Sequence, residues 1–154
     1  MTEEAIIQSL KEGGLRITPQ RLAIIDVLLE KGLLHPGAKF IYKEAKKKCK
    51  SLCLSTTYAT INEFSRLGII KTLQFEWAEN RCEGNLDEHF NLICERCGGI
   101  IDYYVATYID KTDVIKKTGF IITKNRLEYY GYCRECSNGN GRSSPDQKTT
   151  IKYL

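Results

Sequence analysis

No stretch of this 154-residue chain approaches the ~20 consecutive apolar residues of a membrane-spanning helix, which excludes a helical membrane anchor within it. The acidic opening MTEEAIIQ lacks the basic-then-apolar pattern of a secretory signal, so a cytoplasmic protein is expected. Histidine is scarce: His35 and His89 are the two in the chain, so any imidazole ligation must use them. Cysteine is not scarce, but seven is an odd number that cannot pair completely within the chain. In a reducing compartment such cysteines indicate metal or redox work rather than a disulfide frame. No internal repeat is present beyond two Cys-x-x-Cys pairs. The net charge is a modest +4, and it is uneven. Residues 1–78 hold 12 Lys+Arg against 8 Asp+Glu, whereas residues 79–154 hold 11 of each. The first half is therefore where a polyanion would bind.

The stretch with the strongest chemical signal is Glu88–Asp102, EHFNLICERCGGIID. Cys94 and Cys97 flank two residues and precede Gly98-Gly99, a turn whose backbone can wrap one ion. Cys133 and Cys136 repeat the spacing downstream. Four thiolates in two such pairs suit a closed tetrahedral zinc site, with Zn–S near ~2.3 Å and no position left open for catalysis. Two unrelated buried pairs, or disulfides, are the competing explanations. A thioredoxin-like enzyme would need its CxxC at a helix start after a strand, and neither pair has that setting. His89 and Asn91 lie two apart, on one face of a strand, and Asp102 ends the next strand-like run. A second metal site of N and O donors is expected beside the zinc.

Taken in order, residues 2–14 read as a short helix capped by Thr2 and stopped at Gly13-Gly14. A second helix follows Thr18-Pro19 with Leu22, Ile25 and Leu29 at helical spacing, ending at Gly32. Pro36 opens a third, with Ile41, Ala45 and Cys49 on one side and a lysine row from Lys39 to Lys50 on the other. A fourth lies within STTYATINEFSRLG, preceded by Cys53 or Ser55 and closed by Gly68. The period then changes: Leu73, Phe75 and Trp77 alternate with Gln74 and Glu76, and a turn at Glu79-Asn80 leads back along Arg81–Gly84. Helices followed by a hairpin make a winged helix-turn-helix, whose last helix enters the DNA major groove. The second half reads as strands at Phe90–Cys94, Gly99–Tyr103, Phe120–Lys124 and Leu127–Tyr132, with a helix over Ala106–Lys117. The expected class is α+β: a winged-helix DNA-binding domain over 1–78, a small metal-binding dimerisation domain over 79–137, and a flexible tail over 138–154. Cys49 and Cys53 read as small buried hydrophobes, and Cys82 as a redox candidate beside Glu83.

Five segments together resemble the ferric uptake regulator family of bacterial metal-dependent repressors. They are RITPQR (Arg16–Arg21), HPGAKFIY (His35–Tyr42), TTYATINEFSRLGII (Thr56–Ile70), EHFNLICERCGGIID, and YYGYCREC (Tyr129–Cys136). The likeness runs from about Leu15 to Ser137. It implies a homodimer that binds an inverted-repeat operator in double-stranded DNA when a regulatory metal is in place. Cys94, Cys97, Cys133 and Cys136 match the structural zinc ligands. His35, Glu83, His89, Asn91 and Asp102 match the regulatory site, with Asn91 where the family usually has histidine. The family's additional HxH site is not expected, because Asn91 and Lys124-Asn125 occupy its positions. Tyr58 matches the DNA-facing tyrosine, and Arg16, Arg21, Thr56 and Thr57 are further candidate contacts.

The remaining donor set of two histidines with carboxylates suits Fe(II) or Mn(II) better than Zn(II) or copper. Asp102 resembles the peroxide-sensing branch, in which bound Fe(II) reacts with peroxide and a histidine ligand is oxidised. Glu83 points slightly away from it. Iron-responsive and zinc-responsive repressors are the alternatives, and a plain zinc-ribbon binding module would leave the helical half unexplained.

Overall fold

The computed structural model describes residues 2–75, 78–104 and 109–139. The part of the expected hairpin at Glu76 and Trp77, the first turn of the expected helix at 106–108, and the tail beyond Gly139 lie outside the described residues. The chain divides into two compact units, Met1–Asp87 and Glu88–Leu154. The division falls after Asp87 rather than at residue 78, because the returning wing strand pairs with its N-terminal neighbour.

In the first unit, α1 (Glu3–Glu12) starts at Thr2, whose hydroxyl accepts from the Ala5 N–H at 3.3 Å. Thr18 caps α2 (Pro19–Lys31) in the same way, accepting from Arg21 N–H. Instead of stopping at Gly32, the chain tightens into a 3-10 turn, Gly32–Leu34. Helix α3 (Ala38–Lys48) begins two residues later than Pro36. The reason is that the Pro36 carbonyl accepts from Cys82 N–H (2.9 Å) and Gly37 bridges to Arg81, so this segment joins the wing first. Helix α4 (Leu54–Arg66) follows. Ile6, Leu10, Ile24, Ile25, Leu28, Ile41, Ala45, Ile61 and Phe64 converge into one core, with Phe64 fully buried. Strands β1 (Lys71–Leu73) and β2 (Arg81–Glu83) pair antiparallel, Leu73 opposite Arg81. The strand stops short of Phe75, whose N–H turns to the Asn80 side chain instead of a ladder partner. Four helices and this short wing form the winged helix-turn-helix.

In the second unit, β3 (Phe90–Cys94) pairs antiparallel with β4 (Ile100–Tyr103) and parallel with β5 (Glu128–Gly131), in the order β4-β3-β5. Helix α5 (Lys111–Thr118) is capped by Asp110, which accepts from Thr112 and Asp113 N–H groups, and ended by Gly119 at φ +71. It buries no residue. A single turn, α6 (Arg134–Ser137), carries Cys136 and was not expected from periodicity. The expected strand over Phe120–Lys124 is not formed, and Phe120 and Ile121 are 66% and 69% exposed. A strand needs a hydrogen-bonding neighbour, and this chain gives that segment none among the described residues.

Candidate metal centres and DNA-facing surface

The β3–β4 turn brings Cys94 and Cys97 together, and the start of α6 brings Cys133 and Cys136 to meet them. None of the four is in a disulfide, and their sulfur atoms lie within 4.8 Å of one another. Cys97 Sγ and Cys133 Sγ lie 3.8 Å apart. That matches the edge of a tetrahedron with ~2.3 Å Zn–S bonds, about 3.8 Å, and is far longer than a disulfide at ~2.05 Å. Burial pushes the Cys94 thiol up, but backbone N–H groups of Cys133, Cys97 and Arg96 outweigh it and hold the thiol at about 6. Burial and the neighbouring sulfurs push Cys136 up to about 12, and burial raises Cys97. The Cys94 thiolate forms readily, and a cation would help to hold Cys97 and Cys136 deprotonated. The sulfur cluster fits zinc.

In the first unit, His35 and Glu83 form a buried pair, Nε2 to Oε2 at 2.7 Å. The other Glu83 oxygen accepts from Asn85 N–H at 2.6 Å, so the carboxylate is clamped from two sides. His35 sits at φ 49, ψ 57, the one left-handed non-glycine among the described residues. Such a conformation persists where surroundings over-determine it. Here its N–H donates to Gly32 O at the end of the 3-10 turn. A Cβ on Gly84 would lie 3.2 Å from Gly32 Cα, so two glycines let the His35 turn and the Glu83 strand touch backbone to backbone.

In the second unit, Asn91 on β3 stands directly opposite Asp102 on β4. His89, one residue before β3, places Nε2 4.0 Å from Asp102 Oδ1 and its ring against Tyr104. Asn91 is 7% exposed, and its Oδ1 has no hydrogen-bond partner among the described residues. A buried amide oxygen in that state is costly unless something electropositive meets it. Nitrogen and oxygen donors of the kind that ligate divalent cations thus gather in each unit.

On α4, Tyr58 is 39% exposed and Thr56 half-buried. Thr57 corrects the expectation: it is 0% exposed and its hydroxyl donates to Cys53 O, so it cannot reach DNA. Arg16 is exposed, and its carbonyl accepts from Arg21 Nη1 at 2.5 Å, which holds the two arginines side by side. Much of the lysine row is tied to the protein itself, Lys48 to Asp26 and Glu30, Lys47 to Glu44, and Lys46 to Tyr42. Cys53 is exposed rather than buried, and hydrogen bonds from Ser55 and Thr56 lower its thiol to about 7. Cys82 is 2% exposed, and burial pushes its thiol up to about 12, which removes it as a redox candidate.

The sequence matches the ferric uptake regulator family over residues 12–130. The chain belongs to that family. It is 37% identical over 133 residues to the peroxide operon regulator of Bacillus subtilis, covering 85% of this chain and 90% of that protein. The ferric uptake regulator of Helicobacter pylori, solved with three functional metal binding sites, has a similar fold: TM-score 0.68, 25% identity, 89% of this chain and 95% of that one. The Campylobacter jejuni peroxide stress regulator gives TM-score 0.62 at 26% identity, covering 88% of this chain and all (100%) of that one. Ferric uptake regulators are metal-sensing, DNA-binding transcriptional regulators that act as homodimers, and this member carries the four-cysteine cluster of its structural zinc. Sequence reasoning missed Asn85, the Gly32–Gly84 contact and Glu79. A small residue beside each histidine-bearing turn was the available signal for the glycines, and Glu79 had none.

Proposed function

We propose that this chain is a cytoplasmic, homodimeric repressor of the peroxide-sensing kind. It holds an inverted-repeat operator while one Fe(II) or Mn(II) joins His35 and Glu83 of the first unit to His89, Asn91 and Asp102 of the second. One observation carries this: both histidines of the chain are buried, each beside a carboxylate, and the two pairs belong to different units. An ion that needs ligands from both units fixes the angle between them, so its binding free energy selects one arrangement. In a dimer that angle sets the separation of the two α4 helices, which must reach half-sites about one DNA turn apart. Exposed Phe120 and Ile121, on a segment without a strand partner among the described residues, support pairing with a second copy. Tyr58, Thr56, Arg16 and Arg21 supply the DNA-facing contacts.

Bound iron(II) supplies the one-electron chemistry that turns peroxide into an oxidant next to its own ligands. His35 and His89 are the side chains that would receive the oxygen. Oxidation of either ring removes a nitrogen donor, the ligand set is broken and the operator is released. Similarity to the Bacillus subtilis peroxide operon regulator supports this branch. Glu83, one methylene longer than aspartate, counts slightly against this branch.

Operator binding with Fe(II), Mn(II) or Zn(II), before and after peroxide, tests the proposal, with mass spectrometry of the His35 and His89 peptides. The expected result is loss of binding in the iron-loaded protein alone, with one oxygen added to a histidine peptide. Iron-loaded binding and peptides that both survive peroxide would make the protein an iron sensor.

A further inference from the structure

Glu79 lies between the wing and the helices, where its carboxylate has more than one partner. Its Oε1 accepts from the Tyr58 hydroxyl at 3.1 Å and from the Lys39 backbone N–H at 3.0 Å. Its Oε2 rests against Gly37: a Cβ there would be 2.6 Å away, so a larger residue would push the carboxylate out of this position. Gly37 is the residue that bridges to Arg81, and it stands two residues after His35. Lys39 N–H is one of the donors that the first turn of α3 leaves unsatisfied, and Gly37, the N-cap, has no side chain to meet them. Glu79 therefore supplies the missing cap from a distant part of the chain and holds a tyrosine with the same atom.

We propose that Glu79 is a positioning residue for DNA recognition, tying the phenol of Tyr58 on α4 to the start of α3, beside the turn that carries His35. The inference rests on Tyr58 facing DNA. A tyrosine left 39% exposed is otherwise able to sample several rotamers. Anchoring its hydroxyl selects one before DNA arrives, which removes an ordering cost from binding. The simpler account makes Glu79 a carboxylate near a polyanion, which would only repel phosphates. The two accounts predict effects of opposite sign.

The test uses the full chain, zinc-replete and loaded with Mn(II), on a duplex that this protein has selected from a random-sequence pool. Glu79→Ala should weaken binding about tenfold, the scale of one charge-assisted hydrogen bond. Glu79→Gln keeps an acceptor oxygen and should stay within about threefold of the parent. Tyr58→Phe removes the hydroxyl alone and should weaken binding about as much as Glu79→Ala. The double variant should be no weaker than either single one, because both break the same connection. Higher affinity in both Glu79 variants would overturn the proposal in favour of simple repulsion. Additive losses, or an unaltered Tyr58→Phe, would also overturn it, and the latter decides even where Glu79→Ala does not fold. Tyr58→Ala separates the premise: unchanged affinity there would remove Tyr58 from the DNA-facing set altogether.

Discussion

In the N-terminal unit, side chains from four helices bury themselves in one apolar cluster around Phe64, Ile24 and Ile41. In the C-terminal unit, the buried apolar set among the described residues is Ile93 and Ile100, with the sulfurs of Cys94, Cys97 and Cys136. Each well-buried aliphatic or aromatic side chain contributes roughly 1.5–3 kcal/mol, so burial is the main stabilising term of the first unit. The second buries few such side chains and draws on zinc, whose apparent contribution to small thiolate sites is about 10–16 kcal/mol. The contrast suits a sensor. The helical half has an apolar core of its own, whereas the sheet half is organised around its four sulfurs.

The largest effect expected is confined to the second half. Cys97→Ser should lose zinc and open the chain beyond Glu88 to proteolysis and hydrogen exchange, while the helical signal of α1–α4 persists. Collapse of both halves together would show that they are not independent. Phe64→Ala makes the complementary break, lowering stability by about 3–5 kcal/mol in denaturant melts with zinc content unchanged. Replacing Phe120 and Ile121 with glutamate should weaken self-association at least about 30-fold by sedimentation, with folding of the first unit untouched. The mildest probe is thiol alkylation. Cys53, lowered to about 7, is about half thiolate at neutral pH and should react first, faster as pH rises. Cys82 should stay inert behind its burial, and the four zinc cysteines should react only after chelation. Rapid labelling of Cys82 in the native protein would contradict the packing described for β2.

Which parts of this were readable beforehand follows from how local each signal is. Thr2 and Thr18 announce helix starts through their own hydroxyls, and both caps are present. The strand Phe90–Cys94 and the four-cysteine cluster also follow from spacing alone. The Phe120–Lys124 segment was misread because a strand is defined by its neighbour, and sequence alternation cannot say whether that neighbour lies in the same chain. Thr57 was misread through helix phase. It shares a face with Thr60, Ile61 and Phe64, which are buried, whereas Tyr58, one residue on, is turned about 100° away from it. Helix α3 starts late because a carbonyl 46 residues upstream of its partner, Pro36 O to Cys82 N–H, commits that segment to the wing. Glu79 is the extreme case, since its partners Lys39 and Tyr58 lie 40 and 21 residues away.

In the proposed function, one ion needs a histidine from each unit before the operator can be held. His35→Ala and His89→Ala, made separately in the zinc-replete chain, test it by titrating Mn(II) against operator affinity. Either substitution alone should abolish the Mn(II) response while cysteine-bound zinc stays stoichiometric. A full response surviving in either variant would contradict it.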